Sequence, residues 1–182
     1  MNLFTVQLKV LLFIFFLSSA SFAQLKVGFG GYIGGGAIKG ESPFITAFTA
    51  SVYIETNTAI FLEVTPRLSV IYAKDFEAIV PNVQKPYFPF VQGFTFKGIA
   101  TQYLEGGIFV EEGVGFLALN DRTFRDTDVW GYGVVLSLSA GWDLRGFNLD
   151  GFKLGAGIEY GITFNNTLVQ YSTLNLYINY TL

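Results

Sequence analysis

Three stretches of this chain, of 15, 13 and 10 residues, carry an apolar side chain at every second position without a break. Between Trp130 and Leu144, one face carries Trp130, Tyr132, Val134, Leu136, Leu138, Ala140, Trp142 and Leu144. The other carries Gly131, Gly133, Val135, Ser137, Ser139, Gly141 and Asp143. Between Phe152 and Phe164, large apolar residues alternate with Lys153, Gly155, Gly157, Glu159, Gly161 and Thr163. The last segment sets Leu174, Leu176, Ile178, Tyr180 and Leu182 against Thr173, Asn175, Tyr177, Asn179 and Thr181. A period of two is the signature of a β-strand with two unlike faces. Ordinary strands run to about 5 or 6 residues. Strands twice that length, apolar on one face, suit a tilted crossing of a membrane.

The spacing of the two tryptophans sets a scale. Trp130 and Trp142 share a face and lie 12 residues apart. At about 3.3 Å per residue that is roughly 40 Å of strand, and a tilt near 40° reduces it to about 30 Å of height. Two aromatic girdles are separated by about that much. Trp130 and Tyr132 are therefore assigned to an outer girdle, and Trp142 with Tyr180 to a periplasmic one.

The N-terminus reads as a processing signal. Met1 and Lys9 precede the apolar run Val10–Leu17, and Ser21-Phe22-Ala23 fits small-x-small cleavage before Gln24. Eight apolar residues are too few for a membrane-spanning helix, which takes about 20. Domain organisation follows: residues 1–23 are the cleaved signal and 24–182 form one domain. The mature chain has ten basic and fourteen acidic residues, a net charge of −4. With no basic block, it carries no footprint for nucleic acid.

Composition narrows the chemistry. The chain is 51% hydrophobic with a mean hydropathy of +0.45, yet the mature part has no apolar run near 18 residues. Apolar residues at alternate positions reconcile these facts. Cys and His are both absent, which removes disulfides, thiolate catalysis, the commonest general base and the commonest transition-metal ligand. No cofactor is expected, and no catalytic or metal site.

Extending the alternation outward gives eight strands, at about 25–38, 44–55, 59–73, 94–105, 107–119, 130–144, 152–164 and 168–182. The fold class expected is all-β: an eight-stranded antiparallel up-and-down transmembrane β-barrel. An even count puts both termini on the periplasmic side, with turns at 56–58, 105–107 and 145–151. Segments 39–43, 74–93, 120–129 and 165–167 face outside, so the two longest connections fall there. Pro66 falls within the third strand, where a missing N–H predicts a bulge. A weak 48-residue repeat relates residues 59–63, 107–111 and 155–159, each ending in Glu on a rising strand. A lipocalin-like soluble barrel would put the bulky face inside, where eight strands leave too little room. A two-sheet sandwich is the other alternative.

The inward face carries Glu63, Arg67, Glu111, Asp143, Lys153 and Glu159. Charges in a narrow lumen must pair or meet water, so a salt-bridged plug is the first reading and a narrow water path the second. Inward glycines at 28, 30, 34, 36, 133, 155, 157 and 161 leave room for opposing large side chains, or for a small lipid-like ligand. The segment 74–93 brings together three prolines with Tyr87, Phe88 and Phe90, a partner surface or a stiffened upper girdle. The acidic run 120–128 contains two arginines and matches no calcium-loop spacing, so it reads as a solvated loop.

The export signal, the Gly-rich opening Gly28-Phe29-Gly30-Gly31-Tyr32 and the alternating last strand resemble the small outer-membrane β-barrel domain family, the OmpA/OmpX type, over the whole mature chain. Family members end on an alternating strand with a terminal aromatic. Here Leu176, Ile178 and Tyr180 keep the pattern, and Leu182 departs from it. The resemblance implies outer-membrane localisation, contact with outer-membrane lipid, and recognition by the barrel-assembly machinery during biogenesis. It leaves function open, because one barrel type hosts many roles. Membrane-barrel lipases, acyltransferases and proteases generally use a His, so no enzyme is expected. The reading is a non-enzymatic barrel, structural or acting through a protein partner at its outer loops. The alternative is a narrow pore or small-ligand transport barrel.

Overall fold

A computed structural model describes residues 27–56, 64–81, 83–146, 150–166 and 168–182. The signal, the cleavage point before Gln24, the repeat at 59–63 and Glu63 lie outside the described residues. Eight strands follow in chain order: β1 (Val27–Lys39), β2 (Ile45–Thr56), β3 (Val64–Asp75), β4 (Phe90–Tyr103), β5 (Ile108–Arg122), β6 (Val129–Asp143), β7 (Gly151–Thr163) and β8 (Gln170–Thr181). Each pairs antiparallel with the next. β1 also pairs with β8, from Gly28↔Thr181 to Lys39↔Gln170, so the sheet closes on itself. This is the expected eight-stranded up-and-down barrel.

The ladder fixes the geometry. From Tyr32 the pairing runs through Ser51, Ile71, Gly93 and Leu119 to Gly131. In the other direction it runs through Tyr177 and Gly155 to Gly141 on the same strand, ten residues away. A shear of ten over eight strands corresponds to a strand tilt of about 40°. A barrel of this size has an interior that side chains can fill.

The strand ends differ from the sequence reading mainly at the outer rim. β3 runs to Asp75, β4 starts at Phe90 and β5 continues to Arg122. The outer connections are therefore shorter than expected, 76–89 and 123–128. The first is clamped at its base by the Asp75 N–H, which donates to the Pro89 carbonyl (2.8 Å). Its Phe76–Ile79 turn is capped by the Asp75 carboxylate, which accepts from the Glu77 N–H (3.0 Å). At the opposite end, Gly106 and Gly107 take φ of +78° and +75° in the tight turn between β4 and β5, a conformation glycine adopts without steric cost.

The expected bulge at Pro66 is absent. The β3–β4 register runs unbroken from Val64↔Ala100 to Lys74↔Phe90, with Pro66 opposite Gly98. The β2–β3 ladder begins only at Glu55↔Arg67. Proline thus sits at the end of a ladder, where a missing N–H is tolerated.

Large apolar side chains point outward along every strand, among them Ile33, Val52, Leu68, Phe96, Phe116, Leu138, Ile158 and Leu176, all exposed. Inside, a second apolar cluster fills the outer half of the barrel. It is built from Ile38, Ala47, Ile71, Ala73, Val91, Leu117, Leu119, Val135, Val169 and Tyr171. Tyr32, Tyr53, Phe109 and Tyr177 form an aromatic cluster in the other half.

Glycines admit these rings. A Cβ at Gly30 would run into the Tyr53 ring, at Gly155 into Tyr177 and at Gly161 into Tyr171. Gly36 meets the backbone of β8 itself, at Ser172, whereas a Cβ at its neighbour Gly35 makes only ordinary van der Waals contact with the Ala47 carbonyl (3.8 Å). Gly36→Val is expected to loosen the closing seam and destabilise the barrel by about 1–3 kcal/mol. Gly35→Val should leave it unchanged. Urea midpoints followed by heat-shifted gel mobility check both.

Candidate functional site

The interior half nearer the termini is ionic. Arg67 projects inward from β3 and reaches three partners: its Nε donates to Glu55 Oε2 (2.7 Å), one Nη to Glu111 Oε2 (2.8 Å) and the other Nη to the Tyr32 hydroxyl (2.5 Å). Its guanidinium also lies over the Tyr53 ring, 4.4 Å from the centroid. A planar guanidinium suits this site, because its donors fan out in one plane while its faces stack. Lys153 closes the set by donating to the other Glu111 oxygen (2.8 Å). Asn179 donates to the remaining Glu55 oxygen (3.0 Å).

A second group sits farther toward the outer end. Lys97 pairs with Glu159, whose other oxygen accepts from the Tyr171 hydroxyl (2.7 Å). All six charged side chains are almost fully removed from solvent. Among the described residues, three cations, Arg67, Lys97 and Lys153, face three carboxylates, Glu55, Glu111 and Glu159. Burying a charge without a partner costs several kcal/mol, so a balanced set is what a closed lumen tolerates. Beside the second group the lumen keeps a cavity of about 20 Å³, bordered by Tyr32, Thr49, Glu159, Tyr171, Thr173 and Asn175. That volume is on the scale of a single water. An acyl chain does not fit it.

Of the residues singled out by sequence, Arg67, Glu111, Lys153 and Glu159 come together in the lumen. Asp143 does not join them. It stands at the end of β6 and is held by Arg145, whose Nε donates to it at 2.8 Å and whose backbone N–H donates at 3.0 Å. Burial opposes the Arg145 charge, but its bonds to Asp143 and to the Tyr103 hydroxyl (2.7 Å) outweigh this and hold its pKa above the ordinary value. Glu55 and Lys97 were missed. Each follows an outward apolar residue, Ile54 before Glu55 and Phe96 before Lys97, so strict alternation through β2 and β4 places both inside.

Trp130, Tyr132, Trp142 and Tyr180 all point outward and are exposed. Trp130 stacks on Phe94 (6.2 Å, 11° between planes) and Tyr180 packs on Phe152 (4.8 Å). At the outer end, Tyr87, Phe88 and Phe90 are only half exposed. The Tyr87 hydroxyl donates to the Arg122 carbonyl (2.7 Å), Phe88 lies under Lys74 (5.8 Å) and Phe90 packs on Tyr72 (5.5 Å). These contacts tie the three rings to the rim. Freely exposed apolar residues there include Phe44, Phe76, Ile79, Val80, Phe124 and Leu168. Phe44, Phe76 and Tyr87 border a surface cleft of about 630 Å³, together with Asp75, Glu77 and Lys85. The acidic run 120–128 is partly internalised: Asp121 is buried and accepts from the Thr123 N–H (2.8 Å) and hydroxyl (2.7 Å), while Arg122 pairs with Asp128 (2.6 Å).

No protein-family model matches the chain, and no curated protein matches it by sequence. Solved structures do resemble it. Neisserial surface protein A (NspA) superposes with a TM-score of 0.67 at 7% identity, over 85% of this chain and 96% of that one. Ail, the attachment invasion locus protein of Yersinia pestis, superposes with a TM-score of 0.53 at 8% identity, over 87% of this chain and 97% of that one. A second structure of Ail, in complex with the heparin analogue sucrose octasulfate, gives 0.50 at 8% identity, over 87% and 99%. At these identities the likeness is one of fold, and it agrees with the eight-stranded barrel expected from the alternation.

Arg67→Met removes a partner from two buried carboxylates at once. It is expected to cost about 3–5 kcal/mol. Adding Glu55→Gln should recover part of that loss, because Glu55 is then left without a cation whereas Glu111 keeps Lys153; the urea midpoint of the compact, unboiled gel band measures it.

Proposed function

We propose that this protein is a non-enzymatic barrel of a bacterial outer membrane, plugged along its lumen, that acts through a protein partner held at its outer loops. The outward apolar band supports the membrane placement. A surface of large exposed aliphatic and aromatic side chains around a closed barrel suits lipid and is a poor surface for water. Outward aromatics at both ends of β6 suit two interfaces. Outer-membrane lipid and the barrel-assembly machinery are then its biogenesis partners, and the N-terminal signal its export route.

The lumen argues against transport. Its outer half is apolar, its other half is a balanced ionic network, and the cavity beside Glu159 has the volume of a water molecule. Among the described residues, that cavity is too small for an acyl chain, which speaks against the lipid-like-ligand reading. Without His or Cys, the buried carboxylates serve as partners for Arg67, Lys97 and Lys153 and have no obvious catalytic outlet.

One observation carries the interaction reading: the cleft between the 40–44 and 76–89 connections, where Phe44 and Phe76 stay exposed beside the Lys85–Glu77 ion pair. Exposed aromatics with flanking charges suit a protein surface. Ail has been crystallised with a heparin analogue. The outer end of the present chain carries both signs of charge close together, Lys85 with Glu77 and Arg122 with Asp128, which fits a polyanion poorly.

Two measurements test the proposal. Cell fractionation should place the protein in the outer membrane as a compact, heat-shifted band; a freely soluble protein would refute the placement. Partners recovered by cross-linking should be lost with Phe44→Asp and Phe76→Asp together, with affinity falling about 30-fold or more if either ring is a binding anchor. The barrel band should be unchanged, and liposomes should show no reproducible channels.

A further inference from the structure

The turn between β1 and β2 does not stand clear of the barrel. In the closed ring β5 lies four strands from β1 in either direction, so the ends of these two strands face each other across the outer mouth. Eight strands about 4.8 Å apart, tilted by about 40°, set opposite walls roughly 16 Å apart. Residues 40–43 nevertheless reach the end of β5. The Glu41 N–H donates to Asp121 Oδ2 (3.3 Å), and the Thr127 hydroxyl donates to Glu41 Oε2 (3.4 Å). Gly40 lies so close to the Asp121 carboxylate and the Thr123 hydroxyl that a Cβ there would overlap both. Gly40 and Ser42 are buried, although they belong to a connection at the end of the molecule.

What lies beneath the turn is equally closed. Ile38, Asp121, Thr163 and Val169 are inward residues at the outer end of the lumen, and each is fully buried. Ile38 and Val169 belong to the inner apolar cluster. Asp121 differs in kind: among the described residues no cation pairs with it. Its oxygens accept from neutral donors, the Glu41 N–H, the Thr123 N–H (2.8 Å) and the Thr123 hydroxyl (2.7 Å). Arg122, next in the chain, pairs with Asp128 instead. A carboxylate removed from water is tolerated where hydrogen bonds satisfy its oxygens, and a backbone N–H bonds it more strongly than it bonds a neutral acceptor. One of these donors comes from the far side of the mouth. Asp121 therefore keeps its full set only while the turn lies over it.

We propose that residues 40–43 are a strap that closes the outer mouth of the barrel, with Asp121 as its latch. The two feet of the strap meet outside the bore, where the Lys39 ammonium lies 5.3 Å from the centre of the Phe44 ring. Phe44 borders the partner cleft, so the latch also sets where that ring stands. This last step rests on the partner surface proposed above; closure of the mouth does not. The lumen is then stopped in two ways. In the bore, side chains rooted in the wall pack against one another. At the mouth, a short loop is held to the far side by the Glu41 bonds to Asp121 and Thr127. A segment with so few bonds opens locally while the barrel ladder stays intact.

The test uses the full chain, in outer membranes and refolded in detergent micelles, with the heat-shifted band confirming a folded barrel in each case. The protein has no Cys, so a single thiol reports its own access without background. Val169→Cys places one under the strap, and Pro43→Cys places one on its exposed side. A membrane-impermeant maleimide should label Pro43→Cys rapidly and Val169→Cys slowly. Asp121→Asn keeps the shape of the latch but presents an amide N–H to one of its donors. Gly40→Val pushes the strap off its seat without touching the carboxylate chemistry. Either change should speed labelling of Val169→Cys about tenfold or more, the shift in an opening equilibrium that one hydrogen bond to a charged group commands. Phe124→Ala, exposed on the neighbouring connection, should leave the rate as it was. Labelling of Val169→Cys as fast as Pro43→Cys overturns the strap as a cover. An unchanged rate in both latch variants overturns Asp121 as the latch and makes the apolar cluster the seal. A protein found outside the outer membrane overturns the placement, and the micelle measurement still decides the strap.

Discussion

Closure of the backbone ladder is the constraint on which everything else rests. Every N–H and C=O in an apolar environment needs a partner, and a sheet has none to spare at its edges. Pairing β1 with β8 removes both edges at once. The shear of ten then sets the tilt and the bore, and the bore sets what the inward residues must do. Eight strands leave a space that side chains fill among themselves. Glycine at positions 30, 155 and 161 and tyrosine at 53, 177 and 171 are two halves of one solution: each ring occupies the volume that the glycine opposite it vacates.

The filling changes character along the axis. The half toward the termini is held by directed bonds, with Arg67 at the centre and each of its carboxylate partners anchored again by Lys153 or Asn179. The half toward the outer loops is held by apolar packing of Ile38, Val91, Leu119 and their neighbours. The two regimes meet at Glu159, which takes Lys97 on one oxygen and the Tyr171 hydroxyl on the other. Tyr171 is itself part of the apolar cluster, so one side chain joins the packing of the outer half to the ionic chemistry of the inner half.

The barrel was legible in the sequence because its dominant signal, one apolar outward position in every two, is local and repeated in each strand. The direction of Arg67, Glu111, Lys153 and Glu159 followed from it. What alternation could not reveal is depth. Ile71 is flanked by Val70 and Tyr72, and Val135 by Val134 and Leu136, so near the outer end both faces are apolar and the pattern dissolves. The inner apolar cluster therefore stayed hidden. Glu55 and Lys97 have the same inward parity, one residue after Ile54 and Phe96; what parity does not supply is their partners, 12 and 62 residues away in the chain, which only the assembled register brings together. Asp143 shows the converse. Its inward parity was readable, but a strand end two residues from Arg145 gives it a local partner.

The two tryptophans have a use beyond placing the barrel. They are the chain's only ones, they occupy opposite ends of β6, and both rings face outward. On the proposed placement, tryptophan fluorescence, excited selectively over tyrosine, therefore comes solely from the two bilayer interfaces, with no contribution from the interior. Emission colour and quenching by lipids labelled at known depths become a two-ended ruler, registering how acyl chains of different length stretch or thin to match this wall.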